Sequence, residues 1–475
     1  MDSSDQESPA GSDGWQLIHG PLLNPRPDGG VDFLPQASIL ADERGVITYV
    51  GPSSGLVASP QTENVRRASG IMMPPFLDAH IHIPQHPIRG RFMEGVGADM
   101  PQGRLIAGLN RNVFPTEAKC SADEHTRAVV QGFLEDTLAK GVVGGAAYMT
   151  VHAQATRMAL AMLPEMWSVG LVLMNMNCPE YLRTNEATLE EDIRALAKQF
   201  GRRLIVTDRF AVAVNTPLRT RAVKLAAELE LRMQTHLNEQ IGEKRFVEEV
   251  LYPTYRNYTD VYLRDGLLDH EAILAHCDRM SGEEFNVLAK KRSVIAHCPT
   301  SNTLLGSGVM PLDEVANRKI PYAICTDVGA SPTTSILAEM AQYLKVHAGR
   351  SARATACEAL FRSTLAPAQI LGLDRCLGRL EVGKPMTLIE VASSAIAPNA
   401  SAEDVIRRHL LELPDELMDS YADGEHSEAV KRLTLSGLGD GPDLDLLEAE
   451  TRQTAHRLDG KVKRVVIGGR EVFHA

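Results

Sequence analysis

Residues 74–85 read PPFLDAHIHIPQ and place His80 and His82 one residue apart at the end of a short apolar run that begins at Ile71. Successive side chains of a β-strand point to opposite faces, so positions i and i+2 share a face, about 6.6 Å apart along the backbone. Two imidazoles so placed can reach one metal ion, although such a pair also occurs as a solvated or structural feature. The run from Ile71 to Leu77, followed by Asp78 and Ala79, suits a buried strand reaching the rim of a sheet.

The chain on either side says what that strand belongs to. As far as about Leu373, apolar runs ending in polar residues recur: GVVGGAAYMTVH, VGLVLMNMN, RRLIVTDRFAVAV, LRMQTHLNE, EAILAHC, RSVIAHCP and IPYAICTDVG. Between them, EATLEEDIRALAKQF, TRAVKLAAELE and SGEEFNVLAKK have amphipathic helical spacing, and acidic residues open the first and third. Alternation of this length is the pattern of a parallel α/β fold, and about eight strands point to a (β/α)₈ TIM-like barrel, with a doubly wound open sheet as its structural competitor. Short alternating strands before Gly70 and again in KVKRVVIGGREVF predict a small β-sandwich domain assembled from both termini. The expected organisation is an acidic disordered tail over 1–14, β-sandwich strands over 15–70, the barrel over 71–380, and the rest of the sandwich with a helical insertion over 381–475.

The 475 residues carry 49 Lys+Arg against 61 Asp+Glu, a formal net charge of −12, and no basic block. Phosphate backbones and anionic membranes are bound by clustered cations, so no nucleic-acid or membrane partner is expected. Seven cysteines without C-x-x-C spacing read as reduced thiols of a cytoplasmic protein. The opening MDSSDQESPAGSDG has no apolar core for a secretory signal, and no apolar stretch reaches the roughly 18 residues of a membrane span.

In a barrel of this kind, chemistry belongs at the C-terminal ends of the strands. His80, His82, His236 in QTHLNEQ, His276 in ILAHCD and Asp327 in AICTDVG all occupy such ends. Three neutral imidazoles and a carboxylate can hold a divalent metal with a position left for water. Taken singly, His236 and His276 read as hydrogen-bonded core histidines more readily than as ligands, and Asp327 could be a helix cap or turn residue. Glu239, three residues beyond His236, is within reach of the same pocket as a proton carrier, or is a first-turn helix carboxylate. His297 reads as a supporting or structural residue, and His125, His152 and His347 as surface or packing residues.

The motifs PPFLDAHIH, THLNE, LAHC, IAHCPTSN and CTDVG, in that order, resemble the amidohydrolase superfamily over about residues 70–390, with LGRLEVGK resembling the strand that returns to the β-domain. The stretches CPEYLRTNEATLEED, DRF at 208–210 and VLYPTYRNYTDVYLRDGLLDHEAILAHC, together with Gln85, resemble its guanine deaminases. The resemblance implies one zinc ion held by His80, His82, His236 and Asp327. It further implies His276 and Asp327 orienting the attacking hydroxide, Glu239 moving protons, and Gln85, Arg209 and Phe210 holding a purine. The implied reaction converts guanine to xanthine and ammonia in a cytoplasmic homodimer, with a small aminated heterocycle as the partner molecule.

Two positions depart from that family around the expected pocket. Leu105 or a neighbour stands in GRLIAGLNRNVFPTEA where the family carries a tryptophan, and Asp208 replaces a proline before Arg209 and Phe210. Both changes are expected to touch the substrate. They keep open an aminohydrolase of the same superfamily acting on another purine, pyrimidine or triazine. A catalytically silent barrel serving as a scaffold is the reading of another class; it would be favoured by a missing ligand or a missing Glu239, and neither is missing.

Overall fold

Pro74 and Pro75 lack the backbone N–H that a strand ladder requires, and they divide the first apolar run between two different sheets. A computed structural model describes residues 16–57, 65–96, 104–413 and 444–475; the tail expected over 1–14 lies outside them. Before the prolines come β1 (Gln16–Pro25), β2 (Val31–Ala41), β3 (Ile47–Pro52), β4 (Val65–Arg67) and β5 (Ile71–Met73). After them come the strands of a second sheet: β6 (Phe76–His82), β7 (Val142–Tyr148), β8 (Trp167–Leu173), β9 (Leu204–Asp208), β10 (Arg232–Leu237), β11 (Ile273–His276), β12 (Val294–His297) and β13 (Tyr322–Ile324). The chain then returns to the first sheet through β14 (Leu388–Val391), β15 (Val462–Ile467) and β16 (Arg470–His474).

Strands β6 to β13 pair in sequence order and every pairing is parallel, as a (β/α)₈ barrel requires. Strands buried on both faces read as nearly continuous apolar runs, and every residue of β7 and β9 is buried. Helices cover the outside, among them Asp123–Ala139, Leu189–Phe200, Thr216–Glu228 and Gly282–Lys291. The Gly282–Lys291 helix starts at a capping box: Ser281 Oγ accepts from the Glu284 N–H while the Glu284 carboxylate accepts from the Ser281 N–H. The barrel closes beyond β13, where the Asp327 N–H donates to the His80 carbonyl at 3.0 Å and the His82 N–H donates to the Val328 carbonyl at 2.7 Å.

The terminal strands form one mixed sheet in the order β16-β15-β14-β5-β1-β2-β3, with β4 also paired to β1. Its own core includes Ile18, Leu22, Ile39, Met72, Met386 and Leu388. Ile71–Met73, read from sequence as continuous with the histidine strand, therefore belongs here, where it pairs with β1 and β14. Glu390 joins the two ends of the chain by pairing with Arg66 and accepting from the N–H and hydroxyl of Ser69 at 2.8 and 2.9 Å. No helix among the described residues is long and apolar enough to cross a membrane.

Asp208 does not face the pocket where sequence placed it. Its Oδ2 accepts from Arg219 Nε at 2.6 Å, and Arg219 Nη1 donates to Asp265 at 2.8 Å, all three groups being buried. Arg219 also donates to the Val214 carbonyl at 2.6 Å, so the ion pair secures the segment that follows Arg209 and Phe210. Removing one partner of a buried pair strands the other's charge. Arg219→Met is expected to cost about 3–5 kcal/mol, read as a lowered midpoint of denaturant unfolding.

Candidate active site

His80 and His82 end β6, His236 lies near the end of β10, His276 ends β11, and Asp327 follows β13. The barrel gathers them at its C-terminal mouth. His80, His82, His236 and Asp327 each offer a ligand atom within 4.8 Å of all the others, and all four are buried. Asp327 Oδ1 is 3.2 Å from Nε2 of both His80 and His82. The contact to His80 is too poorly aligned for a hydrogen bond, and both His80 ring nitrogens are buried without a hydrogen-bond partner.

Buried polar atoms are normally satisfied, so an orphaned imidazole among two others and a carboxylate fits a metal ion. His236 Nδ1 lies 2.7 Å from the Arg209 carbonyl, which only accepts, so Nδ1 carries the hydrogen and Nε2 keeps its lone pair for the cluster. Burial lowers the pKa of all three histidines, that of His82 to about 3, and holds the rings in the neutral form a metal needs. Ser301 Oγ donates to Asp327 Oδ2 at 2.5 Å and orients that carboxylate.

His276 Nε2 stands 3.5 Å from Glu239 Oε2. Its Nδ1 faces Asn302 Oδ1 at 2.8 Å, and Asn302 Nδ2 donates to Asp278 at 2.9 Å, a chain that sets the ring's orientation. Burial works against a charge on His276, yet Glu239, Asp327 and Asp278 outweigh it and raise the pKa to about 9. Burial pushes Glu239 up to about 8, and Ser307 Oγ donates to its Oε1 at 3.2 Å. A carboxyl group with its pKa so raised has the environment of a group that can hold a proton at neutral pH. Asn238, His276, Cys277 and Asp327 have φ values of +51°, +74°, +59° and +54°, unfavourable for side-chain-bearing residues. Such backbone costs on the order of 1–3 kcal/mol per residue and persists where surrounding bonds over-determine it.

His82, His236 and Asp327 of the cluster line a pocket whose empty space, open solvent included, is ≈ 360 Å³. Gln85, Arg209 and Phe210 line it as expected, and so does Leu105 at the position where the family tryptophan is absent. Phe92, Leu109 and Leu305 also line it and were not singled out in the sequence: Leu109 lies in GRLIAGLNRNVFPTEA and Leu305 three residues beyond IAHCPTSN, but an apolar residue at either place carries no mark of its role. Trp167 is remote: it begins β8 and packs edge-on to Phe133 at 5.0 Å between ring centroids. His297 does not join the cluster; its Nε2 faces His347 Nε2 at 3.0 Å.

Glu117, another residue the sequence reading passed over, lies behind the cavity wall. Its Oε1 accepts from Gln85 Nε2 at 2.9 Å and stands 3.3 Å from Arg209 Nη1. Arg209 Nη1 is also 3.1 Å from His82 Nδ1.

The sequence profile of the Amidohydrolase family matches residues 71–472. A guanine deaminase of Rattus norvegicus is 32% identical over 329 residues, 66% of this chain and 70% of that protein. A guanine deaminase of Escherichia coli K12 is 30% identical over 367 residues, 75% and 81% of the two chains. The structure of an E. coli guanine deaminase superposes with a TM-score of 0.75 at 26% identity, covering 97% of this chain and 99% of that one. A structure from C. acetobutylicum with bound guanine gives the same TM-score at 22% identity, over 97% and 100%, and speaks to the fold alone.

Zinc loading is expected to give one tightly held ion per chain by elemental analysis, and His236→Ala to abolish it. In metal-stripped protein the three histidines stay neutral while unfolded imidazoles bind protons below about pH 6.5, so the unfolded state takes up more protons. The contribution of these histidines to stability is complete above that pH and is lost as pH falls, which thermal melts of metal-stripped protein from pH 8 to 5 would register as a falling midpoint.

Proposed function

The chain belongs to the amidohydrolase family, and we propose that it hydrolyses guanine to xanthine and ammonia. The observation that carries this reading is that His82, His236 and Asp327 of the metal-fitting cluster, together with Glu239, line the same cavity as Gln85, Arg209 and Phe210. The similarity to guanine deaminases over most of the chain supports the same substrate.

The amino group of an aromatic ring is a poor leaving group, so the reaction needs an activated water and a proton for the departing nitrogen. Zinc held by His80, His82, His236 and Asp327 supplies, when bound, a Lewis acid that lowers the pKa of water towards 7. Glu239, buried and with its pKa raised, takes the proton of the attacking water and passes it to a ring nitrogen, then takes the proton of the C2 hydroxyl of the adduct and passes it to the 2-amino nitrogen as ammonia leaves. His276, held by Asn302, turns Nε2 towards Glu239, and with Asp327 orients the nucleophile. Gln85 and Arg209 hydrogen-bond the far edge of the purine, and Phe210 packs beside it. Phe92 provides an aromatic side chain in a wall that otherwise carries Leu105 and Leu109.

The same reading includes a homodimer in the cytoplasm, supported for the compartment by seven cysteines that are all free thiols. Leu105 in the wall favours a second reading, in which a differently shaped aminated ring is the better substrate.

Ammonia release from guanine, adenine, 8-oxoguanine, cytosine and triazines decides between the two: guanine is expected to turn over fastest, and no turnover of guanine with good turnover of another ring overturns the first. Glu239→Gln is expected to keep its zinc while losing roughly 10²–10⁴-fold in kcat; near-normal kcat in that variant would remove the proton-carrying role.

A further inference from the structure

We propose that Glu117 is a positioning residue that decides which purine edge the pocket accepts, an inference that rests on the guanine reading above. Glu117 is fully buried, ends the short helix Phe114–Glu117, and is not among the residues lining the cavity. It therefore acts through the two residues it touches. One oxygen, Oε1, meets both Gln85 Nε2 and Arg209 Nη1, while Oε2 is buried without a hydrogen-bond partner.

An amide side chain can present its oxygen or its nitrogen to a given neighbour, and the network around it settles which. Glu117 Oε1 accepts from Gln85 Nε2 at 2.9 Å, so the NH₂ of Gln85 turns to Glu117. Its Oε1 is then turned to the Gly329 N–H, 3.4 Å away. Gly329 packs closely on Gln85, since a Cβ added there would fall 2.8 Å from the Cβ of Gln85 and 3.2 Å from its Oε1.

This pinning has a consequence for recognition. A free glutamine amide pairs in bidentate fashion with the amino group and N7 of an adenine-type edge, one donor and one acceptor. Gln85 has its oxygen and one N–H engaged within the protein, which leaves its second N–H for the cavity. Arg209 has only donors to offer beside it. The edge that suits two donors is the O6 and N7 pair of a 6-oxopurine. Glu117 thus favours a 6-oxo ring over a 6-amino one without touching either, and its charge balances that of Arg209 in the same buried space.

The test compares guanine with 2,6-diaminopurine, which keeps the 2-amino group and exchanges the 6-oxo group for an amine, on the zinc-loaded full chain. E117L is expected to raise KM for guanine about tenfold or more, the worth of a well-placed bidentate contact, with kcat and zinc content much less affected. The preference for guanine over diaminopurine should shrink by a similar factor. E117Q, which retains an accepting oxygen, should fall between, with the preference reduced at least about threefold. Combining E117L with Q85L should cost no more selectivity than Q85L alone. Unchanged KM and preference in E117L or E117Q overturns the inference, as does an equal loss of kcat on both rings together with lost zinc or thermal stability. Absence of guanine turnover in the wild-type chain instead removes the functional reading, and this inference with it; turnover with unaltered selectivity in the variants removes this inference alone.

Discussion

The seam between the first and last barrel strands is the constraint on which the rest depends. Two backbone hydrogen bonds, from Asp327 to His80 and from His82 to Val328, link residues nearly 250 positions apart and close the barrel. The same two bonds fix the distance between the paired histidines and the carboxylate that faces both. Barrel closure and assembly of the metal-fitting cluster are therefore one event. A register slip of one residue would turn the histidines to the other face of the strand, so the hydrophobic pattern of β6 also protects the chemistry.

Around that seam the protein holds several charges in a dry interior, and each has a partner. Arg219 answers Asp208 and Asp265, Arg209 answers Glu117, and His276 answers Glu239. Buried pairs contribute little net stability against desolvation, but breaking one is costly. Their value here is geometric. Arg219 secures the segment after Phe210, and Glu117 orients the amide and guanidinium at the far wall of the cavity. Asp208, which looked from the sequence like a change in the substrate pocket, is instead one half of such a pair.

Much of the fold and of the site was legible because it repeats or obeys short-range rules. Strands that end in polar residues, helices that open with carboxylates, and His80 and His82 on one face follow from periodicity and capping chemistry. The eight barrel strands and a β-domain drawing on both termini were read this way, whereas the choice of His80, His82, His236 and Asp327 as the metal-fitting set came from the family resemblance. Phe92, Leu109, Leu305 and Glu117 were not picked out: Leu109 and Glu117 lie within GRLIAGLNRNVFPTEA, but their residue types alone do not show what they touch, such as Arg209, 92 positions beyond Glu117. The break at Pro74 and Pro75 was legible in principle, since proline cannot continue a ladder, but the apolar character on both sides masked the change of sheet.

The sequence by itself determined which residues could do the chemistry and the order in which the strands present them, because side-chain alternation and local capping depend only on near neighbours. Only the tertiary structure decided the tautomer of His236, the raised pKa of Glu239 and the orientation of the Gln85 amide. Each of these depends on burial and on groups brought from distant strands or turns: the Arg209 carbonyl, the burial of Glu239 beside Glu243, Asp327 and Asp278, and the Glu117 carboxylate with the Gly329 N–H.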